Sequence, residues 1–298
     1  MIILATIVFY TFVILFFPHI CADAVTLSYT LTTTVLLPAL LPSVILSKVL
    51  VQSKPDHYCR TMLLSFLIPL CIISGVPSCI IILEDAYKNN VINLLQYKSL
   101  YILLSNVSFS FVFNYICKID YHIPVWLILI IFYLSPLINS LVYYFVMRNK
   151  LIHNNVMNSY QIYEKPDKSA SGKYVFNRII ISSILTICNI FVYLSMCIII
   201  IKVLSLIIHN NIIIIFLSAF IEIISSCNLI KDLDFSLQKF IVLILSISFG
   251  GMCSIFQMKG VMQNDDIGIM FMIKTKMLNA ITALSIGLTI YLIMYYNY

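Results

Sequence analysis

Charge is what this chain has least of. Only 10% of its 298 residues are Asp, Glu, Lys or Arg and 61% are hydrophobic, against roughly 25% and 45–50% in soluble domains. With a mean hydropathy of +1.03, that scarcity excludes a soluble globular domain and implies an all-α, polytopic helical membrane protein. Spacing that would mark a metal or disulfide framework is lacking too: nine cysteines are scattered through apolar segments with no C-x-x-C pair, where cysteine acts as a small hydrophobe. The histidines (His19, His57, His122, His153, His209) fall at segment edges or in loops, so no metal or other cofactor is implied. No His/Asp/Ser cluster, metal-ligand spacing or phosphate loop sits where an enzyme would need it. A dense basic run with interleaved aromatics is also missing, which excludes a nucleic-acid surface.

What is present is a series of apolar runs near the ~20 residues that a bilayer core requires. Candidate spans are 2–17, 31–50, 62–83, 99–117, 124–147, 179–201, 212–230, 240–258 and 269–296. That gives eight or nine hydrophobic segments, two or three of them candidates for re-entrant loops. The whole chain, 1–298, reads as a single membrane domain made of a first half, 1–147, a polar linker, 148–178, and a second half, 179–298. The linker carries Arg148, Lys150, Lys165, Lys168, Lys173 and Arg178 against Glu164 and Asp167, a bias that places it in the cytoplasm as a topology anchor and hinge. The run 2–17 precedes Ala22-Asp23-Ala24, which mimics a signal-peptide cleavage site. No basic residue precedes that run, so an uncleaved first transmembrane helix is the expectation. Segment 62–83 either spans once or dips in and returns near Gly75 and Pro77; the re-entrant version puts both Lys54 and Arg60 on the side of the basic linker.

Polar, glycine-marked islands interrupt these runs. Ser74-Gly75-Val76-Pro77-Ser78 combines a residue without an N–H, a residue free of Cβ and two flanking hydroxyls, a combination that leaves helix N–H and C=O groups unpaired. Its plain alternative is a packed proline kink. Ser105-Asn106-Val107-Ser108 lies inside the 99–117 run, where an amide either meets a ligand or hydrogen-bonds a neighbouring helix. Glu222, with Ser225 and Ser226 on the same helical face, is an intramembrane carboxylate, a residue type kept in hydrocarbon mainly for function. Phe249-Gly250-Gly251, followed by Gln257, weakens a helix in mid-segment and allows close backbone approach. One interrupted element per half suits a two-repeat transporter-like fold with broken or re-entrant helices and a site between the halves. The expected site residues are Ser74, Gly75, Pro77, Ser78, Ser105, Asn106, Glu222, Ser225, Ser226, Gly250, Gly251 and Gln257.

Together these blocks resemble the YlbJ family of sporulation integral membrane proteins, within the larger group of nucleoside-recognition or Gate-domain membrane proteins. Leu37 to Ser43 is similar to the family's Pro-Ser-Leu-Leu-Pro-Phe segment, and Ser74-Gly75-Val76-Pro77 to its Ser-Gly-Tyr-Pro. Leu83-Glu84-Asp85 continues toward the Ser-Asn site at Asn106, Phe220 to Ile223 resembles the Leu-Glu-Ile block, and Phe249-Gly250-Gly251 with Gln257 resembles Phe-Gly-Gly-Leu-Ser-x-x-x-Gln. The chain departs from the pattern at Cys79 and at Ser108-Phe109, where glycine and Gly-Pro are usual. The resemblance implies a role in endospore formation: transport of dipicolinate across the mother-cell-derived membrane around the forespore, with the lipid bilayer, a homo-oligomer or other sporulation membrane proteins as partners. Such a planar dianion suits broken-helix N–H groups with Ser, Asn and Gln donors, without a full positive charge in the membrane. A non-transporting scaffold for spore-envelope assembly is the rival reading.

Overall fold

The computed structural model describes residues 2–52, 68–88, 91–114, 124–153, 172–231, 233 and 236–296. Every element among them is helical. In the first half they are α1 (Ile2–Phe16), α2 (Pro18–Leu31), a π turn (Thr32–Leu36), α3 (Leu37–Gln52), α4 (68–74), α5 (Ser78–Lys88), α6 (Leu94–Leu104), α7 (Phe109–Asn114) and α8 (Val125–His153). In the second they are α9 (Gly172–Ile207), α10 (Asn211–Ile221), α11 (Ile223–Lys231), α12 (Leu237–Phe249), α13 (Gly251–Val261) and α14 (Ile269–Tyr296).

Among the described residues, four helical stretches are long and apolar enough to cross a membrane: Val125–Lys150, Ile179–Ile207, Leu237–Val261 and Ile269–Ile293. A fifth crossing arises if the pair Thr6–Phe16 and Pro18–Leu36, bent by 107°, counts as one span. The bend falls at Pro18, whose ring fixes φ and removes an N–H, so a helix restarts there as a separate element. Of the Leu237–Val261 window, 78% is buried, against 28% for Ile269–Ile293; the stretch holding the Gly-Gly pair therefore runs through the middle of the bundle. On the outer helices, aliphatic and aromatic side chains such as Leu15 and Phe16 of α1, Phe145 of α8, Ile181 of α9 and Ile281 of α14 stand exposed, an apolar surface that lipid tails match.

Local sequence explains where several helices begin. Asn93 and Gln96 form a reciprocal capping box at α6, Gln96 N–H donating to Asn93 Oδ1 at 2.8 Å and Asn93 N–H to Gln96 Oε1 at 3.1 Å. Asn210 caps α10 and Ser236 caps α12 with side-chain oxygens. Lys239, buried on α12, donates its ammonium to Leu233 O at 2.6 Å and so holds the exit from α11.

The helices pack as α6 on α8, α8 on α14, α14 on α12, and α9 on both α2 and α3. Between α8 and α14, Asn139 Nδ2 donates to Asn279 Oδ1 at 2.7 Å and to Thr282 Oγ1 at 2.9 Å. Apolar Ile131, Phe240, Ile244 and Ala283 close around that seam.

One expectation needs amendment. Each half contains two interrupted helices, α4–α5 and α6–α7 in the first and α10–α11 and α12–α13 in the second, where the sequence suggested one. Helix α8 continues to His153 and α9 begins at Gly172; Arg148 and Lys150 thus lie on α8, and Lys173 and Arg178 on α9. Residues 154–171, with Lys165 and Lys168, lie outside the described residues, as do Lys54, Arg60 and the first part of segment 62–83.

Candidate functional site

The first interruption follows from Gly75 and Pro77. Gly75 takes a left-handed φ of +62°, which glycine reaches at little steric cost. Its N–H still donates to Cys71 O at 2.9 Å, while Cys79 N–H reaches Gly75 O at 2.9 Å, so the chain leaves α4 and enters α5 within a few residues. The second interruption runs from Ser105 to Ser108, where Ser108 Oγ accepts from Phe111 N–H at 3.1 Å. These two breaks touch: Val76 N–H donates to Asn106 O at 3.0 Å. A methyl on Gly75 would stand 2.2 Å from Ser108 N.

The second half repeats this closeness with other residues. Glu222 is extended, φ −155° and ψ 127°, and its carboxylate turns onto the start of α11. Oε1 accepts from Ile224 N–H at 2.8 Å and Oε2 from Ser225 N–H at 2.6 Å. The carboxyl group is thus set at a helix N-terminus, where its oxygens satisfy otherwise unpaired N–H groups. Gly250 and Gly251 both take positive φ, +75° and +72°, and separate α12 from α13. A methyl on Gly251 would lie 2.8 Å from Ile221 O, which explains why the Gly-Gly break can lie against the Glu222 break.

Lys276 joins the two pairs. Its side chain, 1% exposed, leaves α14 and donates its ammonium to Ser105 O and, at 3.3 Å, to Asn106 Oδ1. Asn106 is held in turn by donating to Leu103 O at 2.9 Å, and Asn279, about one turn further along α14, donates to Ile102 O at 3.4 Å. The ammonium therefore sits at the C-terminal, electronegative end of α6. No described carboxylate pairs with it.

A cavity of about 50 Å³ lies where the interruptions meet, room for a few water molecules at roughly 10–15 Å³ each. Every interruption contributes to its wall: Val76, then Ser108, then Glu222 and Ile223, then Gly250 and Ser254. Aliphatic side chains from α9 and from the π turn and α3, such as Leu194 and Leu40, close the rest.

Of the residues expected from the sequence, Glu222, Gly250 and Gln257 line this cavity. Gln257 Nε2 donates to Cys253 Sγ at 3.2 Å. The others build the breaks around it. Ser105 and Asn106 receive Lys276, and Ser225 supplies an N–H to Glu222. Ser226 Oγ pairs with Ser246 Oγ at 2.6 Å, tying α11 to α12. Ser74 Oγ donates to Cys71 O at 3.4 Å, Ser78 presents a buried hydroxyl without a protein partner, and Gly75, Pro77 and Gly251 shape backbone. The comparison with known proteins adds nothing to this geometry. No family model, curated protein or solved structure matches the chain.

Sequence reasoning missed Lys276, and it left Ser108 and Ser254, which neighbour the expected residues, out of the site. For Lys276 a signal existed. Lys274 and Lys276 are two apart in one apolar helix, and residues at that spacing do not share a face, so one of the pair had to turn inward. Lys274 is exposed and Lys276 buried. The expectation of a site without a full positive charge is therefore amended: a lysine ammonium stands beside it.

Proposed function

We propose that this chain is an integral membrane transporter, or the channel component of one, for a small organic anion. The convergence of its helix interruptions on one buried cavity carries the reading. Non-helical backbone and charged side chains are tolerated at bilayer depth only where protein or a cavity shields them, and discontinuous helices meeting near the middle of a bundle are the common plan of substrate sites in secondary transporters. A buried ammonium beside the breaks favours an anion over a cation. In this reading each half is one repeat of a long helix, two interrupted helices and a second long helix, and α1 adds a ninth segment. The cavity, sized for a few waters, corresponds to a closed state that must widen to admit substrate.

Dipicolinate, carried across the membrane around the forespore, is the substrate that the sequence resemblance suggests. Its flat ring suits the aliphatic part of the wall, and its two carboxylates need donors from the breaks and from Lys276. The test is dipicolinate accumulation in spores of a strain lacking its own gene and complemented with this chain, wild type or Asn106→Ala, with membrane levels checked. Restoration by the wild type and loss in the variant at equal protein level support the reading. Restoration by both leaves the breaks structural and favours the spore-envelope scaffold, and accumulation in the uncomplemented strain removes dipicolinate from consideration.

A further inference from the structure

We infer that Glu222 is a proton site coupled to the transported anion: when a carboxylate enters the widened cavity, the Glu222 carboxyl group takes up a proton with it. This deepens the transport reading and rests on it, adding the co-substrate. Among the described residues that line the cavity, Glu222 alone is acidic and none is basic. Its side chain is buried, and no described cation pairs with it. Two ionised carboxyl groups in one small, water-poor space repel strongly, so one of such a pair is held protonated.

The surroundings of Glu222 suit a group that loads and unloads a proton. Oε1 and Oε2 each accept one backbone N–H, from Ile224 and Ser225, and a carboxyl oxygen has a second lone pair. A proton can therefore be added without stripping the start of α11. Ser225, whose N–H already meets Oε2, also carries a buried hydroxyl without a protein partner. That hydroxyl can donate to the carboxylate or accept from the acid, so either state is accommodated. The cavity has room for the few waters that would carry the proton to and from the site. Glu222 is also the extended residue that separates α10 from α11. Hydrogen bonds to an ionised acceptor are stronger than those to a neutral one, so protonation loosens the hold on α11 and links the proton to the shape of that break.

Other titratable groups lie around it. The Cys227 thiol is further along α11, the Cys253 thiol is on the cavity wall from α13, and the Lys276 ammonium of α14 stands beyond Gly250. Helices α10 and α12 bring the hydroxyls of Ser218 and Ser246, α9 brings Leu194, and the first half brings Val76, Ser108 and Phe111, none of which titrates. A variant at Glu222 itself separates its proton from those of the thiols and Lys276.

The experiment is equilibrium binding of labelled dipicolinate to the purified full-length protein in detergent between about pH 6 and pH 9, where carboxyl groups of ordinary strength are ionised. Calorimetry in buffers of different ionisation enthalpy counts the protons. Wild type is expected to take up one proton per anion bound, with affinity falling about tenfold per pH unit above the pKa of free Glu222 and level below it. Glu222→Gln, a permanently neutral copy of the acid, is expected to bind with neither the proton uptake nor the slope. No proton uptake by wild type overturns the inference, and so does a Glu222→Gln slope equal to that of wild type, which assigns the proton to Lys276 or a thiol. If Glu222→Gln fails to fold, the infrared difference spectrum of wild type decides: a protonated-carboxyl C=O band should appear on binding, and its absence overturns the site. A wild type that binds no dipicolinate at any pH also overturns it. Spore accumulation judges the transport reading separately, since accumulation without proton-linked binding removes the proton site and leaves that reading standing.

Discussion

Gly75→Ala is the most demanding perturbation of this architecture. The added methyl would lie 2.2 Å from Ser108 N and 2.5 Å from Ser108 Cα, and both obstructing atoms are backbone, held in place by the Val76-to-Asn106 hydrogen bond. Relief requires the first and second interruptions to separate. Overpacking of this kind costs about 1–3 kcal/mol or more, and the left-handed φ of +62° adds about 1–2 kcal/mol for a residue with a Cβ. The sum is on the order of 2–5 kcal/mol, which is large for a single substitution. In a detergent-solubilised preparation the apparent unfolding midpoint should fall by about 10 °C, at roughly 2–4 °C per kcal/mol for chains of this size. Gly268→Ala is the internal control, since a methyl there meets nothing within 4 Å; it should change the midpoint by less than about 2 °C, as surface substitutions usually stay within ~0.5 kcal/mol. Equal midpoints for the two variants would refute the contact between the breaks.

Glu222→Ala leaves two buried N–H groups without acceptors, at about 1–3 kcal/mol each, whereas Glu222→Gln keeps one acceptor and should cost less; the reverse order in unfolding midpoints contradicts the capping role. Glu84→Ala removes the acceptor of Gln263 N–H and Asn264 N–H, so amide exchange in 262–268 should accelerate while α6 stays protected, and unchanged exchange would discount the clamp. A double-mutant cycle on Asn139→Ala and Asn279→Ala should return a coupling of about 0.6–1.7 kcal/mol, the range for interhelical hydrogen bonds in membrane proteins, with zero coupling placing α8 and α14 otherwise. The hydrogen bond from Lys259, 2.5 Å long, and that ammonium's charge hold the exposed Asp265 carboxyl below its ordinary range. Its contribution is therefore present above the unfolded-state pKa and fades as pH falls through the lowered folded value; Asp265→Asn should match wild type in acid and fall slightly below it near neutrality.

The places where the helices break were legible in the sequence, because proline, paired glycines and a lone carboxylate are rare in apolar runs and each disturbs the helix by a mechanism readable from one residue. What those residues touch was not legible. Glu222 reads as a ligand group in one dimension, yet its carboxylate is committed to Ile224 and Ser225, two and three residues downstream, where extended backbone at Glu222 folds it back. Close backbone approach at the Gly-Gly pair was legible but its partner was not: Gly75 lies against Ser108 and Gly251 against Ile221, both far away in sequence. Lys276 escaped notice because an apolar helix near its end commonly carries interfacial lysines, and only the third dimension separates it from Lys274.

The carboxylate of Glu84 also restricts how the molecule can move. It belongs to the first half, and it grips the backbone of Gln263 and Asn264 between α13 and α14, with Lys88 adding a 2.6 Å hydrogen bond to Gln263 Oε1. Parting the halves beside that loop means stripping a buried charge of its donors, whereas tilting them about it leaves every one of those bonds intact. If the halves move as the proposed transport reading requires, the Glu84 clamp is the fulcrum of that motion.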